Sequence, residues 1–282
     1  MLPNFVIIGA MKAGTTSLYH YLRQHPEVFM PATKELHYFV AEKNWSRGPE
    51  WYERQFAGAG GAVAVGEASP DYAKFPEYRD VAQRLADAHP HARIVYALRE
   101  PVERIRSHYL HDVARGRERR PIAVAVPGNP HYLAPSSYAM QIEQYLEHFP
   151  RERLLVIRSE DLRARREETM HRVHSFLGVD ATWSAPDQDR EYNAIGAKTA
   201  PGPLMRAARH LPGASRLRLL APGAAAVAER LLGRSRRPVD VAAGTVSPEL
   251  RRRLLEELAP DLERLPALVG KGFDPWSADS SR

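Results

Sequence analysis

The chain has 282 residues, 44% hydrophobic, 26% charged and 9% aromatic, which excludes collagen-like, disordered and coiled-coil classes and leaves room for a sizeable core. Forty basic residues against 34 acidic ones give a net charge of +6, a surplus that favours anionic ligands without demanding nucleic acid. The absence of cysteine excludes disulfide frameworks, thiolate nucleophiles and cysteine-based zinc sites, and a reducing, cytoplasmic setting is expected.

Residues 5–8, Phe-Val-Ile-Ile, form a β-branched and aromatic run that ends at Gly9, the pattern of a strand buried on both faces. After a loop, Leu18, Tyr21 and Leu22 recur at helical spacing until His25-Pro26 stops them. The alternation returns with a strand at 62–65 and a helix around Val81 to Leu85. A strand at 93–98 then precedes a helix opened by Pro101, with Val102, Ile105, Tyr109 and Val113 on one apolar face. Tyr138, Ile142, Tyr145, Leu146 and Phe149 make the next amphipathic helix, which ends before Pro150. A strand at 154–157 leads to a helix carrying Met170, Val173 and Leu177, closed by Gly178.

Repeated strand-helix-strand units imply an α/β three-layer sandwich, with a mostly parallel central sheet and helices on both faces. No domain boundary is forced, so 1–282 is expected to be a single domain: a core over about 4–180, a variable Pro-, Gly-, Ala- and Arg-rich region over about 181–245, and closing helices over about 246–272. No apolar run approaches the ~20 residues needed to span a bilayer, and the opening Met-Leu-Pro-Asn lacks the basic flank of a signal peptide.

Gly9-Ala10-Met11-Lys12-Ala13-Gly14-Thr15-Thr16 joins the first strand to the first helix, a setting in which backbone N–H groups and a helix N-terminus cradle an anion. The two glycines match the spacing of a nucleotide-binding P-loop, but Thr15 follows Gly14 where that motif places lysine. The lysine stands instead at Lys12, which disfavours a nucleoside triphosphatase or P-loop kinase. A tight turn at Gly14 with Thr15 as helix cap is the plain alternative. Lysine is scarce, 6 against 34 arginines, so a lysine in this loop carries extra weight.

The run from Phe5 through Lys12 to Leu18 resembles the 5′-phosphosulfate loop of sulfotransferases that use 3′-phosphoadenosine 5′-phosphosulfate (PAPS), particularly the heparan sulfate type and its bacterial relatives. The likeness continues in His25-Pro26-Glu27-Val28, Lys34-Glu35-Leu36-His37-Tyr38-Phe39, Gly66-Glu67-Ala68-Ser69-Pro70-Asp71-Tyr72 and Leu98-Arg99-Glu100-Pro101-Val102-Glu103-Arg104 with Ser107. It covers residues 4 to 180 well and the last 40 loosely.

The resemblance implies a P-loop-like fold and sulfuryl transfer from PAPS to a hydroxyl, with an amine as second choice, of a glycan or small-molecule acceptor. No metal or nucleic acid is implied. Lys12 would follow charge onto the departing phosphate, and Ala13, Gly14, Thr15, Thr16 and Ser17 would hold the 5′-phosphate. Glu35 would take the acceptor proton, with His37 as runner-up. Arg99 and Ser107 would grip the 3′-phosphate, and Arg236 and Arg237 would belong to a basic loop closing over the nucleotide.

Plain alternatives stand beside these roles: a surface Lys34-Glu35 pair, Arg99 paired with Glu103 or Glu100, and a non-catalytic anion-binding module. Ala68 and Thr16 depart from the lysine and arginine that heparan sulfate enzymes often carry, which bears on an acidic-glycan acceptor more than on sulfuryl transfer. The pairs His108/His111 and His171/His174 have metal-binding spacing but no evident third ligand. The basic runs at 115–120, 163–166 and 251–253 read mostly as solvated faces, some able to attract an anionic acceptor.

Overall fold

The computed structural model describes residues 2–184, 199–200, 237–238, 241–270, 273 and 276. Five parallel strands, β1 (Phe5–Gly9), β2 (Val28–Phe29), β3 (Ala64–Ala68), β4 (Arg93–Leu98) and β5 (Leu154–Arg158), lie in the order β2-β3-β1-β4-β5. Every residue of β1 and β3 is buried, and side chains alternate across a sheet, so helices cover both faces as expected. Between and after these strands come α1 (Thr15–Gln24), α2 (Pro49–Arg54), α3 (Val81–Ala88), α4 (Pro101–Arg115), α5 (Ile122–Ala125), α6 (Pro130–Leu133), α7 (Tyr138–Leu146), α8 (Ser159–Ala164) and α9 (Arg166–Leu177). Two closing helices, α10 (Pro248–Leu262) and α11 (Leu265–Val269), end the described part. None of the described helices is long and apolar enough to cross a membrane.

β1 pairs with β3 on one side and β4 on the other. The chain therefore reverses its direction of winding at β1, and its carboxyl end is the crevice where open α/β sheets bind ligands. That end carries the 9–14 loop.

The strand expected at 62–65 lies at Ala64–Ala68 instead. Val63 is 48% exposed, while the strand runs on through Gly66 and Glu67, residues poor in strand propensity. Both are there for local reasons. Phe5 lies over Gly66 so closely that a Cβ would sit 2.5 Å from its ring. Glu67 is buried because the hydroxyls of Tyr52, Ser69 and Tyr72 donate to its carboxylate at 2.9, 2.6 and 2.7 Å.

The apolar face of α4 packs as its spacing predicts: Val102, Ile105 and Tyr109 form a second cluster with Tyr132 of α6 and with Leu250, Leu254 and Leu258 of α10. Helix α10, capped by the Ser247 hydroxyl at the Leu250 N–H (3.2 Å), continues past Leu258 and through Pro260. Its last turn places the buried Asp261 carboxylate on the N–H groups of Ala139 and Met140 at 2.9 and 2.8 Å, capping α7.

Candidate active site

The loop between β1 and α1 is shaped by backbone rather than by side-chain caps. Gly14 is the N-cap of α1 at φ 87°, with no side-chain hydrogen bond, and no acidic residue lies in the first turn. Thr15 is thus inside the helix and does not cap it. The opening N–H groups of a helix have no intrahelical acceptor, and with the positive end of the helix dipole they suit an anion. Ala13 differs from the expectation: its N–H donates to Ala10 O at 3.1 Å, closing a turn, and its methyl is buried. The Ala13 amide is thus already engaged, while Gly14 and Thr15 line the cleft.

Lys12 adopts φ 73°, the left-handed region that a non-glycine residue enters only when its surroundings impose it. Beside it Arg104, fully buried at 0% exposure, is held among the described residues by neutral oxygens: Ser136 Oγ, Tyr132 O and Met11 O, the last at 3.4 Å. Burial, in the absence of a close carboxylate, pushes its guanidinium down to about 10. Lys12 Nζ stands 3.4 Å from His111 Nδ1 of α4.

Arg99 follows β4 directly and is tucked in at 15% side-chain exposure. Its Nη1 donates to Lys12 O at 3.4 Å and its Nη2 reaches Glu103 at 3.5 Å. Both contacts are long, and burial lowers its pKa despite Glu103. The Glu103 pairing considered from sequence is present, but it is loose. Ser107 is buried two turns into α4 and faces the same cleft as Arg99.

Glu35 and His37 occupy a segment crossing the carboxyl end of β3, both in the left-handed region at φ 67° and 50°. Glu35 N–H donates to Ala68 O at 3.1 Å and His37 N–H to Ser69 Oγ at 3.0 Å. Lys34 Nζ donates to Glu35 Oε1 at 2.6 Å, so the surface pair forms, and Glu35, 44% exposed, still lines the cleft. His37 lies 3.7 Å from Glu35 Oε2 and 3.3 Å from Asp71 Oδ2. Burial lowers its pKa, and the attraction of Asp71 does not reverse this. Asp71 is raised by burial, but Lys74, paired at 2.7 Å, and Lys43 outweigh that and hold it down at about 2.

These groups surround one cleft of about 810 Å³ at the carboxyl edge of the sheet. Lys12, Gly14, Thr15, Thr16, Ser17, Glu35, His37, Arg99 and Ser107 all line it. Arg236 lies outside the described residues, and Arg237 is described only as backbone, in a short antiparallel ribbon where it pairs with Ala200.

Sequence reasoning passed over Lys43 and Lys74, although three of only six lysines line this cleft, Lys12 being the other. The scarcity of lysine was the signal that could have found them. Arg115, Arg117, Arg163 and Arg166 also reach the rim from runs expected to be mostly solvated, with Arg166 over the Tyr21 ring at 5.1 Å. Arg120 instead pairs with Glu118 at 2.7 Å.

A strand-loop-helix turn beside a carboxylate, with a part-buried arginine after β4 and a buried serine on α4, offers donors and positive charge for a doubly phosphorylated ligand and a base in one space. The model of the sulfotransferase domain family matches residues 2–195. The chain belongs to this family. A crystal structure of a sulfotransferase from Alicyclobacillus acidocaldarius superposes on this sulfotransferase domain with a TM-score of 0.69 and 29% identity, covering 95% of this chain and 96% of that one. Among curated relatives, the membrane-associated sulfotransferase kil1 of Dictyostelium discoideum is 39% identical over 111 residues, 38% of this chain and 22% of that protein. The bifunctional heparan sulfate N-deacetylase/N-sulfotransferase 4 of Mus musculus is 32% identical over 201 residues, 63% of this chain. This match too spans only 22% of the relative's length.

Proposed function

We propose that this sulfotransferase domain moves a sulfuryl group from PAPS to a hydroxyl of a glycan or small-molecule acceptor, an amine being the second choice. The observation that carries the reading is convergence: Lys12 with the opening turn of α1, Glu35, and Arg99 with Ser107 come from three separate stretches of the chain and line one cleft. The Gly14, Thr15 and Thr16 amides would take the 5′-phosphate end, where the helix dipole adds its positive end. Arg99 and Ser107 would take the 3′-phosphate, whose charge suits a guanidinium and a hydroxyl.

In the reaction, the acceptor O–H gives its proton to the Glu35 carboxylate as its oxygen attacks sulfur in line. The bridging S–O bond breaks, its electron pair stays on the 5′-phosphate oxygen, and the Lys12 ammonium stabilises that charge. The products are a sulfate ester and 3′-phosphoadenosine 5′-phosphate. A loose, in-line transition state of this kind leaves positioning and charge stabilisation as most of the protein's work.

The test pairs binding with turnover. In chelator, 3′-phosphoadenosine 5′-phosphate should raise the melting temperature, and sulfur-labelled PAPS should transfer label to a member of a hydroxyl-acceptor panel. Stabilisation by ATP with Mg²⁺, and none by the 3′-phosphorylated nucleotide, would overturn the proposal in favour of a kinase.

A further inference from the structure

Beyond the transfer machinery, the cleft wall holds a group of side chains for which that reaction has no use. His108 and Asp112 stand one turn apart on α4, and His131 comes from α6 to meet them. His131 Nε2 lies 2.8 Å from Asp112 Oδ2, His108 Nε2 lies 3.6 Å from the same oxygen, and one ligand atom of each residue falls within 4.8 Å of the others. His111, the partner of His108 at metal-binding spacing, is not in the set; it turns to Lys12. In the other pair, His174 packs against His25 at 4.7 Å.

A hydrogen bond between His131 and Asp112 accounts for two of the three side chains. It does not account for His108. That imidazole is 1% exposed, its Nδ1 is buried with no hydrogen-bond partner, and its Nε2 is too far from Asp112 for a hydrogen bond. Among the described residues Asp112 Oδ1 is likewise buried without a hydrogen-bond partner, although the Tyr132 hydroxyl interacts with this carboxylate and the exposed Arg117 guanidinium stands 4.0 Å away. The facing atoms His108 Nε2, Asp112 Oδ2 and His131 Nε2 are the ones whose spacing bears on a shared ligand.

We infer that His108, Asp112 and His131 form a binding site for a borderline divalent cation of the zinc class. Two imidazoles and one carboxylate are the donor set such an ion takes, with three protein ligands and one open position. Tetrahedral bonds of about 2.0–2.2 Å place ligand atoms roughly 3.4 Å apart, so the His108–Asp112 spacing fits, the His131–Asp112 spacing would have to open by about half an ångström, and the His108–His131 spacing lies within 4.8 Å. His131 is free to move outward at 44% exposure. The ion would pin α6 to α4. Because His108 and His131 both line the cleft, the open position would be offered to water or to an oxygen of a molecule bound there.

The site does not depend on the proposed reaction, and its test uses no nucleotide. The whole chain, stripped with chelator and dialysed, is titrated with Zn²⁺ by calorimetry and with Co²⁺ by visible absorption. One equivalent of Zn²⁺ and the intense ligand-field bands of four- or five-coordinate cobalt are expected. His131→Ala should weaken both metals by more than the about 10- to 100-fold typical of losing an outer partner of a ligand, and Asp112→Asn should act likewise, while the exposed His171→Ala should leave binding unchanged. Because His131 is exposed, its variant should fold even where Asp112→Asn does not. No stoichiometric binding by the unmodified chain, or a His131→Ala variant that binds as well as the parent, would overturn the inference.

Discussion

Ser69 Oγ takes the backbone N–H of His37 at 3.0 Å and donates its own proton to the buried Glu67 carboxylate at 2.6 Å. The segment that carries Glu35 and His37 through two left-handed residues is thus anchored to the sheet through this hydroxyl as well as through Glu35 N–H on Ala68 O. Ser69→Ala should cost about 1–3 kcal/mol, since it leaves a backbone donor without its partner and removes one of three hydroxyls from Glu67. Turnover should fall further than stability alone explains, with the affinity for 3′-phosphoadenosine 5′-phosphate unchanged. Urea denaturation and nucleotide calorimetry on the same variant separate the two effects.

Asp71 gives the fold an acid-sensitive element. Its carboxyl lies at about 2 in the folded chain against 3.8 for the free side chain, so the stability it contributes is present above the unfolded value and is lost as pH falls through about 2. That shift corresponds to about 2 kcal/mol. The unfolding free energy should therefore decline from about pH 5 to about pH 2, and Asp71→Asn should flatten this slope while lowering stability at neutral pH, where Lys43 and Lys74 lose their partner. An unchanged acid slope in the variant would mean that the carboxylate is not held by these lysines.

How far the sequence reveals this molecule depends on which signals are local. The buried runs 5–8, 93–98 and 154–157 announce their strands because every residue in them is apolar or β-branched except Arg93 and Tyr96. β3 hides because Gly66 is set by the Phe5 ring packed over it and Glu67 by the hydroxyls of Tyr52, Ser69 and Tyr72, contacts that the hydropathy of the strand does not show. α10 runs through Pro260 because of Asp261's bond to α7, more than 100 residues away. In the cleft, the 9–14 loop is readable from spacing, since glycines and lysine must alternate there. Asp71, Lys74 and Lys43 are not readable from spacing, because they come together only once β3 and the 35–43 segment meet, and the scarcity of lysine alone marks the last two. His131 stayed hidden for the same reason, coming to His108 from another helix.

Lys12 and Glu35 divide the proposed chemistry, and their variants should separate it. Lys12→Ala should lower turnover by about 10²–10³ with a smaller loss of PAPS affinity, because its interaction strengthens as charge reaches the leaving phosphate. Glu35→Gln should keep PAPS affinity and lose about 10²–10⁴ in turnover by removing the base. Single-turnover rates at saturating PAPS measure both. If Glu35→Gln retains parental rates, the proton goes elsewhere, and His37, 3.7 Å from Glu35, is the next residue to replace.

Arg99 decides between a specific nucleotide site and a generally basic cleft. Its two present contacts, Lys12 O at 3.4 Å and Glu103 at 3.5 Å, are long for a guanidinium, while Ser107 lines the same cleft from α4. A 3′-phosphate offers Arg99 the charge-assisted bonds it lacks, each worth about 1.5–3 kcal/mol. Arg99→Ala should therefore weaken 3′-phosphoadenosine 5′-phosphate by roughly ten- to a hundred-fold. Adenosine 5′-phosphate, without the 3′ group, should bind parent and variant about equally. Glu103→Gln provides the control: releasing Arg99 from its loose pairing should leave the 3′-phosphorylated nucleotide bound as tightly as before or more so. Calorimetric titration of both nucleotides against the three proteins yields the comparison. Equal losses for the two nucleotides in Arg99→Ala would place Arg99 in the support of the Lys12 loop, through its bond to Lys12 O, and the 3′-phosphate contact would have to be sought on Ser107 alone.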